Sequence, residues 1–287
     1  MVKPILHSLN SGGSGFGMSY YGRWAQGCPK RATLDTAAAI KYEPGSSDDN
    51  DAFGLGRLLH AYLELHYKRG VKGIFDTAAV KFSGSYVHDE HRVKAEAIFR
   101  AYRINHGPLE LGAVLEVEKG YPENKKQAQS IEEVVGVSPY TFKPDMVIRS
   151  GRRDMARLQK VYRCILPKPG KYLVDHKSEG GEDASTLDRY LNRLQFTAYM
   201  LGYNAIHVDD PCLGLIVNVL KKTQGFGVRR VYVPLPSPEH IKALHAFLRY
   251  CVTMMKTMGD WPVPSEYNCW PRNRVCYWRT TGDCKGY

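Results

Sequence analysis

Apolar residues recur at the spacing of an amphipathic helix in part of the chain. From residue 53 to residue 68 they stand three or four positions apart, which places them on one face of a helix. Further helices are predicted for residues 19–39, 88–105, 185–203 and 238–258. These segments are numerous enough to flank a sheet.

Short runs rich in apolar and β-branched residues alternate with these helices. They predict strands at residues 112–118, 133–137, 142–149 and 172–176. Residues 213–220 and 228–234 lie on either side of a glycine-containing turn and predict a β-hairpin. The order of these elements is typical of an α/β fold in which helices flank a central mixed sheet.

The net charge of the chain indicates the kind of partner it would bind. Its 287 residues include 40 lysines and arginines against 29 aspartates and glutamates, a formal net charge of +11. This excess favours an anionic partner, and a polynucleotide is the commonest one. Charge alone also fits a basic protein that has no such partner.

The sequence contains no evident membrane or export segment. No stretch approaches the roughly 18 uncharged apolar residues of a membrane span. The first residues lack the continuous apolar region of a secretion signal. We therefore expect a cytoplasmic protein without a membrane partner, in a compartment where disulfides rarely persist.

Asp175, His176 and Lys177 end one of the predicted strands. Residues two apart on a strand point to the same face, so the acid and the lysine would lie side by side. There the carboxylate can hold a divalent metal while the ammonium orients or activates an attacking water. Asp145 begins another β-rich run, and a rigid sheet could aim both acids at one ion.

Two helices carry further candidates. Gly56 and His60 lie on the first amphipathic helix. Glu64 follows one turn later, where it would either support the metal site indirectly or, more commonly, face solvent. Gln195 and Tyr199 project from one side of a later helix. Taken alone, the histidine fits a packed or surface residue, and the glutamine and tyrosine fit a helix-packing pair.

The strand before Asp145 offers an extra acid, Glu116, and Glu118 competes for that role because it shares the same face. Thirty positions then separate Asp145 from Asp175, more than a simple hairpin needs. The intervening segment is basic and contains Arg149, Arg152, Arg153, Arg157, Lys160 and Arg163. It is either an inserted arm that follows phosphates or a solvated loop.

In order and spacing, these motifs resemble the PD-(D/E)XK nuclease superfamily and, within it, the RecB-like nucleases. The residues that carry the resemblance are His60, Asp145, Asp175, Lys177, Gln195 and Tyr199, followed by three cysteines. The resemblance implies the restriction-endonuclease fold and a metal-dependent DNA exonuclease that prefers single-stranded or frayed ends. Recombination, repair and phage DNA processing are the implied settings, and phage-type exonucleases are the relatives closest in character. A CRISPR-adaptation-type nuclease, a structure-specific endonuclease and a non-catalytic nucleic-acid-binding module are the alternatives.

The resemblance also implies a role for each residue. The implied ligands of Mg²⁺ or Mn²⁺ are His60, Asp145, Asp175 and the backbone carbonyl of His176. The implied catalytic residues are Asp145, Asp175, Lys177, Glu116 and Gln195. The implied DNA contacts are Gln195, Tyr199, Arg152 and Arg153.

Four of the seven cysteines stand near the chain ends, at Cys28, Cys269, Cys276 and Cys284. Their spacing matches neither paired zinc knuckles nor a ferredoxin run, so spacing alone leaves free thiols open. One branch of RecB-like nucleases binds an iron–sulfur cluster through one cysteine before the core and three after it. The resemblance therefore implies a 4Fe-4S cluster, with Zn²⁺ as the alternative.

The implied organisation is a single nuclease domain over residues 1–287. Residues 53–258 would form its core, and residues 19–40 and 259–287 would together form a cluster-bearing subdomain. Cys164, Cys212 and Cys251 lie in apolar surroundings and are expected to be buried structural residues.

Overall fold

The computed structural model describes Met18 and residues 51–68, 74–75, 89–107, 110–179, 193–222 and 227–257. The predicted helix at 19–39, the first part of the one at 185–203, and Cys28, Cys269, Cys276 and Cys284 lie outside these residues.

The described helices and strands confirm most of the predicted elements. The helices are α1 (Asp51–Tyr67), α2 (Asp89–Asn105), α3 (Lys125–Val135), α4 (Arg152–Tyr162), α5 (Leu194–Ile206) and α6 (Pro238–Thr257). The strands are β1 (Ala113–Val117), β2 (Met146–Ser150), β3 (Gly170–Glu179), β4 (Cys212–Lys221) and β5 (Val228–Val233). None of these helices is both long and apolar enough to cross a membrane.

The five strands form one mixed sheet in the order β1-β2-β3-β4-β5. β3 and β4 are parallel, and the other neighbouring pairs are antiparallel. A parallel pair needs a crossover connection, and α5 lies in the segment that connects β3 to β4. β4 and β5 pair as the predicted hairpin. The predicted α/β class, with helices flanking a mixed sheet, is therefore confirmed.

The described residues fall into two compact units, and the sheet with α1, α2, α4 and α5 forms the larger one. In its core, Leu63 of α1 and Phe99 of α2 pack with Tyr172 and Val174 of β3. These two strand residues alternate with Leu173, which is also fully buried. α5 contacts the sheet along β4.

The second unit contains α3 and α6, and here one prediction was wrong. Residues 133–137 are not a strand, because the last turn of α3 covers most of them. Asn124 caps the first turn by accepting a hydrogen bond from Gln127 N at 3.0 Å. Gly136 ends the helix with a φ of 86°. The β-branched pair before that glycine favours a strand, but these caps favour a helix.

The basic segment between β2 and β3 folds as the helix α4, so it is not a solvated loop. In α4, the Gly151 amide donates to Asp154 Oδ2 at 2.9 Å, which satisfies a donor at the helix start. Leu158 packs fully buried in the core. One narrow apolar stripe is thus enough to fold this strongly charged segment onto the unit.

The prediction of buried structural cysteines is confirmed for Cys164, Cys212 and Cys251, which are all buried and free. Burial raises the pKa of the Cys164 thiol to about 11 and that of Cys212 to about 12. Thiols that stay protonated at neutral pH are poor nucleophiles and poor metal ligands.

Candidate metal centre

A helix and two strand ends bring together three side chains that could hold a metal ion. His60 projects from α1, Glu118 follows β1, and Asp145 immediately precedes β2. One ligand atom from each lies within 4.8 Å of the others. His60 Nδ1 lies 3.4 Å from Asp145 Oδ1. One imidazole nitrogen and two carboxylates form a donor set that suits Mn²⁺ or Mg²⁺.

The Asp-x-Lys motif at the end of β3 lies next to this group. The backbone amide of His176 donates to Asp145 Oδ2 at 2.5 Å, which ties the start of β2 to β3. Lys177 Nζ forms an ion pair with Asp175 Oδ2 and lies 3.4 Å from the His176 carbonyl oxygen. The structure therefore brings the histidine, both aspartates and the lysine of the sequence motifs into one site.

Burial and mutual repulsion raise the free energy of the charged carboxylates in this group. Burial raises the pKa of Asp175, and the charge of Asp145 adds to that effect. For Asp145 itself burial opposes ionisation, but attraction to His60 and a hydrogen bond with it hold the pKa of the carboxyl well below its usual range. A divalent cation at this position would relieve the repulsion, so the residues present fit such an ion.

The same two causes raise the pKa of Glu118 into a pH range where binding can be measured. Burial, followed by repulsion from Asp145, raises the pKa of Glu118 to about 7, although Lys143 forms an ion pair with it. For His60, burial opposes a charge, but the carboxylate of Asp145 raises the pKa of the imidazole above its ordinary value. Both side chains must lose a proton before they can ligate a metal ion.

We therefore expect Mn²⁺ binding to weaken as the pH falls below about 7. Each competing proton lowers the affinity by about tenfold per pH unit below the relevant pKa. Calorimetric titration of the protein with Mn²⁺ on both sides of neutrality would measure this slope. Glu118→Gln should bind the ion more weakly and should lose the part of the slope that Glu118 causes. An affinity that stays constant through neutrality would contradict the assignment of Glu118.

Glu118, and not the predicted Glu116, belongs to the group with His60 and Asp145. Glu118 lies just beyond β1 and has a φ of 53°, outside the extended conformation of a strand. The two glutamates therefore do not share a face as they would on a regular strand. Glu116 instead forms an ion pair with Lys119 at 3.3 Å.

Glu64 also differs from expectation, because its side chain is only 10% exposed. Its charge also contributes to the raised pKa of Glu118. Lys68 donates to Glu64 Oε1 at 2.6 Å and balances that charge. The signal in the sequence was the spacing of four residues from His60, which places both side chains on one face of α1.

The helix α5, which carries the predicted pair Gln195 and Tyr199, lies near Lys177. Gln195 Nε2 donates to the Tyr199 hydroxyl at 2.7 Å. Burial raises the pKa of Tyr199, and the charge of Asp175 adds to that effect. Lys177 Nζ also lies 5.9 Å from the ring centroid of Phe196 on the same helix.

Arg152 and Arg153 lie elsewhere in the unit. They begin α4 at the C-terminal end of β2, whereas Asp145 precedes the N-terminal end of that strand. Five residues of strand span about 17 Å. The two arginines are exposed, and neither belongs to the group of metal-binding side chains.

No protein-family model matches the sequence, and no curated protein matches it. Among solved structures, that of a "putative exonuclease" from Eubacterium rectale matches with a TM-score of 0.53 and 11% sequence identity. The match covers 84% of this chain and 81% of that chain. The structure of SSO0001 matches with a TM-score of 0.31 and 8% sequence identity. That match covers 79% of this chain and 84% of the other chain, and its low TM-score supports no conclusion. The first likeness shows a nuclease-like fold and nothing finer.

Proposed function

We propose that this protein is a metal-dependent DNA exonuclease of the RecB-like branch of the PD-(D/E)XK superfamily. One observation carries the proposal: the group of His60, Glu118 and Asp145 lies next to Asp175 and Lys177 at the end of β3. Phosphodiester hydrolysis needs positive charge near the phosphate and an activated water, and this combination of side chains suits both needs.

Each residue of the site would have its own part in the reaction. His60, Glu118, Asp145 and Asp175 would hold a divalent ion, with the His176 carbonyl as a further donor. When bound, Mg²⁺ or Mn²⁺ supplies Lewis acidity at the phosphate and lowers the pKa of water. The ammonium of Lys177 would donate to a phosphate oxygen and orient the attacking water.

The substrate is proposed to be DNA with single-stranded or frayed ends, in recombination, repair or phage DNA processing. The net charge of +11 supports an anionic polymer as partner. Gln195 and Tyr199 would contact the strand beside Lys177. Arg152 and Arg153 would contact phosphates farther along it, at the other end of β2.

We expect the double variant Arg152→Ala/Arg153→Ala to raise the KM for long single strands and to leave kcat unchanged. The salt dependence of binding should fall by about 0.7 in log–log slope for each phosphate that is no longer neutralised. Fluorescence anisotropy at several salt concentrations would measure the slope. The variant Arg152→Lys/Arg153→Lys keeps both charges and should behave like the parent. Equal slopes for all three proteins would exclude α4 from the DNA-binding surface.

The proposed activity is tested by digesting linear and circular DNA, single- and double-stranded, with Mg²⁺, with Mn²⁺ and with a chelator. Labels at the 5′ or 3′ end of the linear strands report where cleavage begins. Metal-dependent shortening of linear single strands, with circles left intact, supports the exonuclease. Circles cut as readily as linear strands would favour a structure-specific or CRISPR-adaptation-type nuclease. DNA that is bound but never cut would favour a non-catalytic binding module.

A second part of the proposal concerns Cys28, Cys269, Cys276 and Cys284, which would hold one 4Fe-4S cluster with a structural role. It is supported by the resemblance and by the three buried cysteines elsewhere, whose protonated thiols suit no such role. Because hydrolysis transfers no electrons, the cluster would tie the chain ends together and not take part in catalysis.

Protein purified without oxygen should therefore be brown and contain about four irons per chain. Cys276→Ser should bleach it, whereas Cys251→Ser, at a buried cysteine of α6, should keep the colour. A colourless anaerobic preparation that contains stoichiometric zinc would show that these cysteines hold Zn²⁺ and not a cluster. The nuclease proposal would be unaffected.

A further inference from the structure

Three polar residues lie side by side on neighbouring strands, on the face of the sheet that packs against α1 and α2. His176 of β3 lies opposite Asn218 of β4, which lies opposite Arg230 of β5. Their exposed fractions are 2%, 0% and 3%. The flanking residues Val174 and Ile216 belong to the hydrophobic core, so the row interrupts an apolar surface.

Hydrogen bonds connect the row from end to end. Arg230 donates to both carboxylate oxygens of Glu110, at 2.9 and 2.8 Å, and Glu110 is itself only 7% exposed. Arg230 Nε donates to Asn218 Oδ1 at 3.2 Å, and Asn218 Nδ2 lies 3.0 Å from His176 Nδ1. We call His176, Asn218, Arg230 and Glu110 the polar row.

The direction of each bond in the polar row is determined by chemistry. A guanidinium can only donate, so the amide oxygen of Asn218 must face Arg230, and its amide nitrogen faces His176. His176 Nδ1 is therefore the acceptor, and its ring proton is on Nε2. The same ring stacks on Tyr67 of α1, with centroids 5.6 Å apart and planes 13° from parallel. The ring of His176 is thus hydrogen-bonded at one edge, by Asn218, and stacked on one face, by Tyr67.

The polar row ends at a peptide that contacts the candidate metal centre. The amide of His176 donates to Asp145 Oδ2 at 2.5 Å, and its carbonyl oxygen lies 3.4 Å from Lys177 Nζ. A buried arginine–glutamate pair gains little stability over apolar residues of similar size. A group that orients a metal-binding residue, in contrast, commonly affects metal affinity and activity.

We propose that Asn218 and Arg230 are positioning residues, which hold the His176 side chain and thereby fix the orientation of its peptide toward Asp145 and the metal ion. This inference rests on the function proposed above. It assigns a function to the side chain of His176, the middle residue of the Asp-x-Lys motif. It also assigns β4 and β5, which carry none of the metal-binding side chains named above, a part in the site.

The test measures Mn²⁺ binding by calorimetry, DNA cleavage and thermal unfolding for the parent and for Asn218→Val. The substitution places a β-branched residue, which suits a strand, at this position and removes the link between Arg230 and His176. We expect Mn²⁺ affinity to fall by roughly tenfold to a hundredfold, with the KM for DNA unchanged. Tyr102→Phe is the matched control, because Tyr102 accepts the other amide hydrogen of Asn218 at 3.3 Å. It should bind Mn²⁺ as the parent does.

If Asn218→Val does not fold, Arg230→Met/Glu110→Gln decides the question, because it removes both charges of the pair together. A folded variant with lower thermal stability but parental Mn²⁺ affinity would show a merely structural role and overturn the inference. Failure of the proposed function looks different: the parent itself would neither bind Mn²⁺ nor cut DNA. A parent that binds and cuts, beside a variant that binds the ion more weakly, supports the inference.

Discussion

Lys177→Ala is expected to lower kcat for DNA hydrolysis by about a hundredfold to a thousandfold, the effect of removing one positioned donor from an active site. The ammonium contacts Asp175 and lies beside the His176 carbonyl, so it is placed to reach a phosphate at the metal ion. The fold should survive, because the side chain is 23% exposed and the raised pKa of Asp175 lets that acid take up a proton. Single-turnover cleavage of end-labelled DNA would measure the loss, and circular dichroism would check the fold.

The matched control is Lys171→Ala. Lys171 lies six residues earlier on the same face of β3 and forms an ion pair with the half-exposed Asp210 at 3.1 Å. Its loss should change kcat little, because it lies at the other end of the strand. If Lys177→Ala cut DNA as fast as the parent, the catalytic site would have to lie elsewhere.

Arg230→Met is expected to lower the free energy of unfolding by about 3–5 kcal/mol, as the loss of one partner of a buried ion pair does. The substitution leaves the carboxylate of Glu110 buried without its two guanidinium bonds. Urea unfolding of the metal-free protein would measure the change. Arg249→Met, at an exposed position of α6, is the control and should stay within about 0.5 kcal/mol of the parent.

The same variant should change how stability depends on pH. Burial opposes ionisation of Glu110, but hydrogen bonds from His106 and Arg230 lower its pKa to about 2. Its stabilising contribution is therefore complete above the ordinary pKa of 4.5 and is lost as the pH falls toward 2. Arg230→Met should lose much of this acid dependence. A parental acid profile together with parental stability would show that the pair contributes nothing to folding.

Some parts of the candidate site were predictable because they depend on local patterns. The spacing of Asp175 and Lys177 on a strand, and of His60 on an amphipathic helix, placed these side chains before any tertiary contact was known. The choice between Glu116 and Glu118 was not predictable in this way. It depends on the left-handed backbone of Glu118 just beyond β1, which has no clear signal in the sequence.

The helix α4 shows a second limit of local patterns. Its abundance of arginines indicates an inserted arm that follows phosphates or a solvated loop. It folds as a helix whose buried Leu158 packs on the core together with the partly buried Met155 and Tyr162. Residues 133–137 show the reverse case, since their β-branched residues suggested a strand. The caps at Asn124 and Gly136 instead favour a helix, and they were the local signal that should have outweighed propensity.

By itself the sequence determined the positions of most helices, the hairpin and the Asp-x-Lys strand, because the periodicity of apolar residues is a local property. Only the tertiary structure decided which distant side chains meet. Glu110 and Arg230 are 120 positions apart, yet they form the buried end of the polar row. His176 and Asn218 are 42 positions apart and become neighbours because β3 and β4 pair in one register. Such contacts follow from strand order and register, which the packing of the whole unit selects.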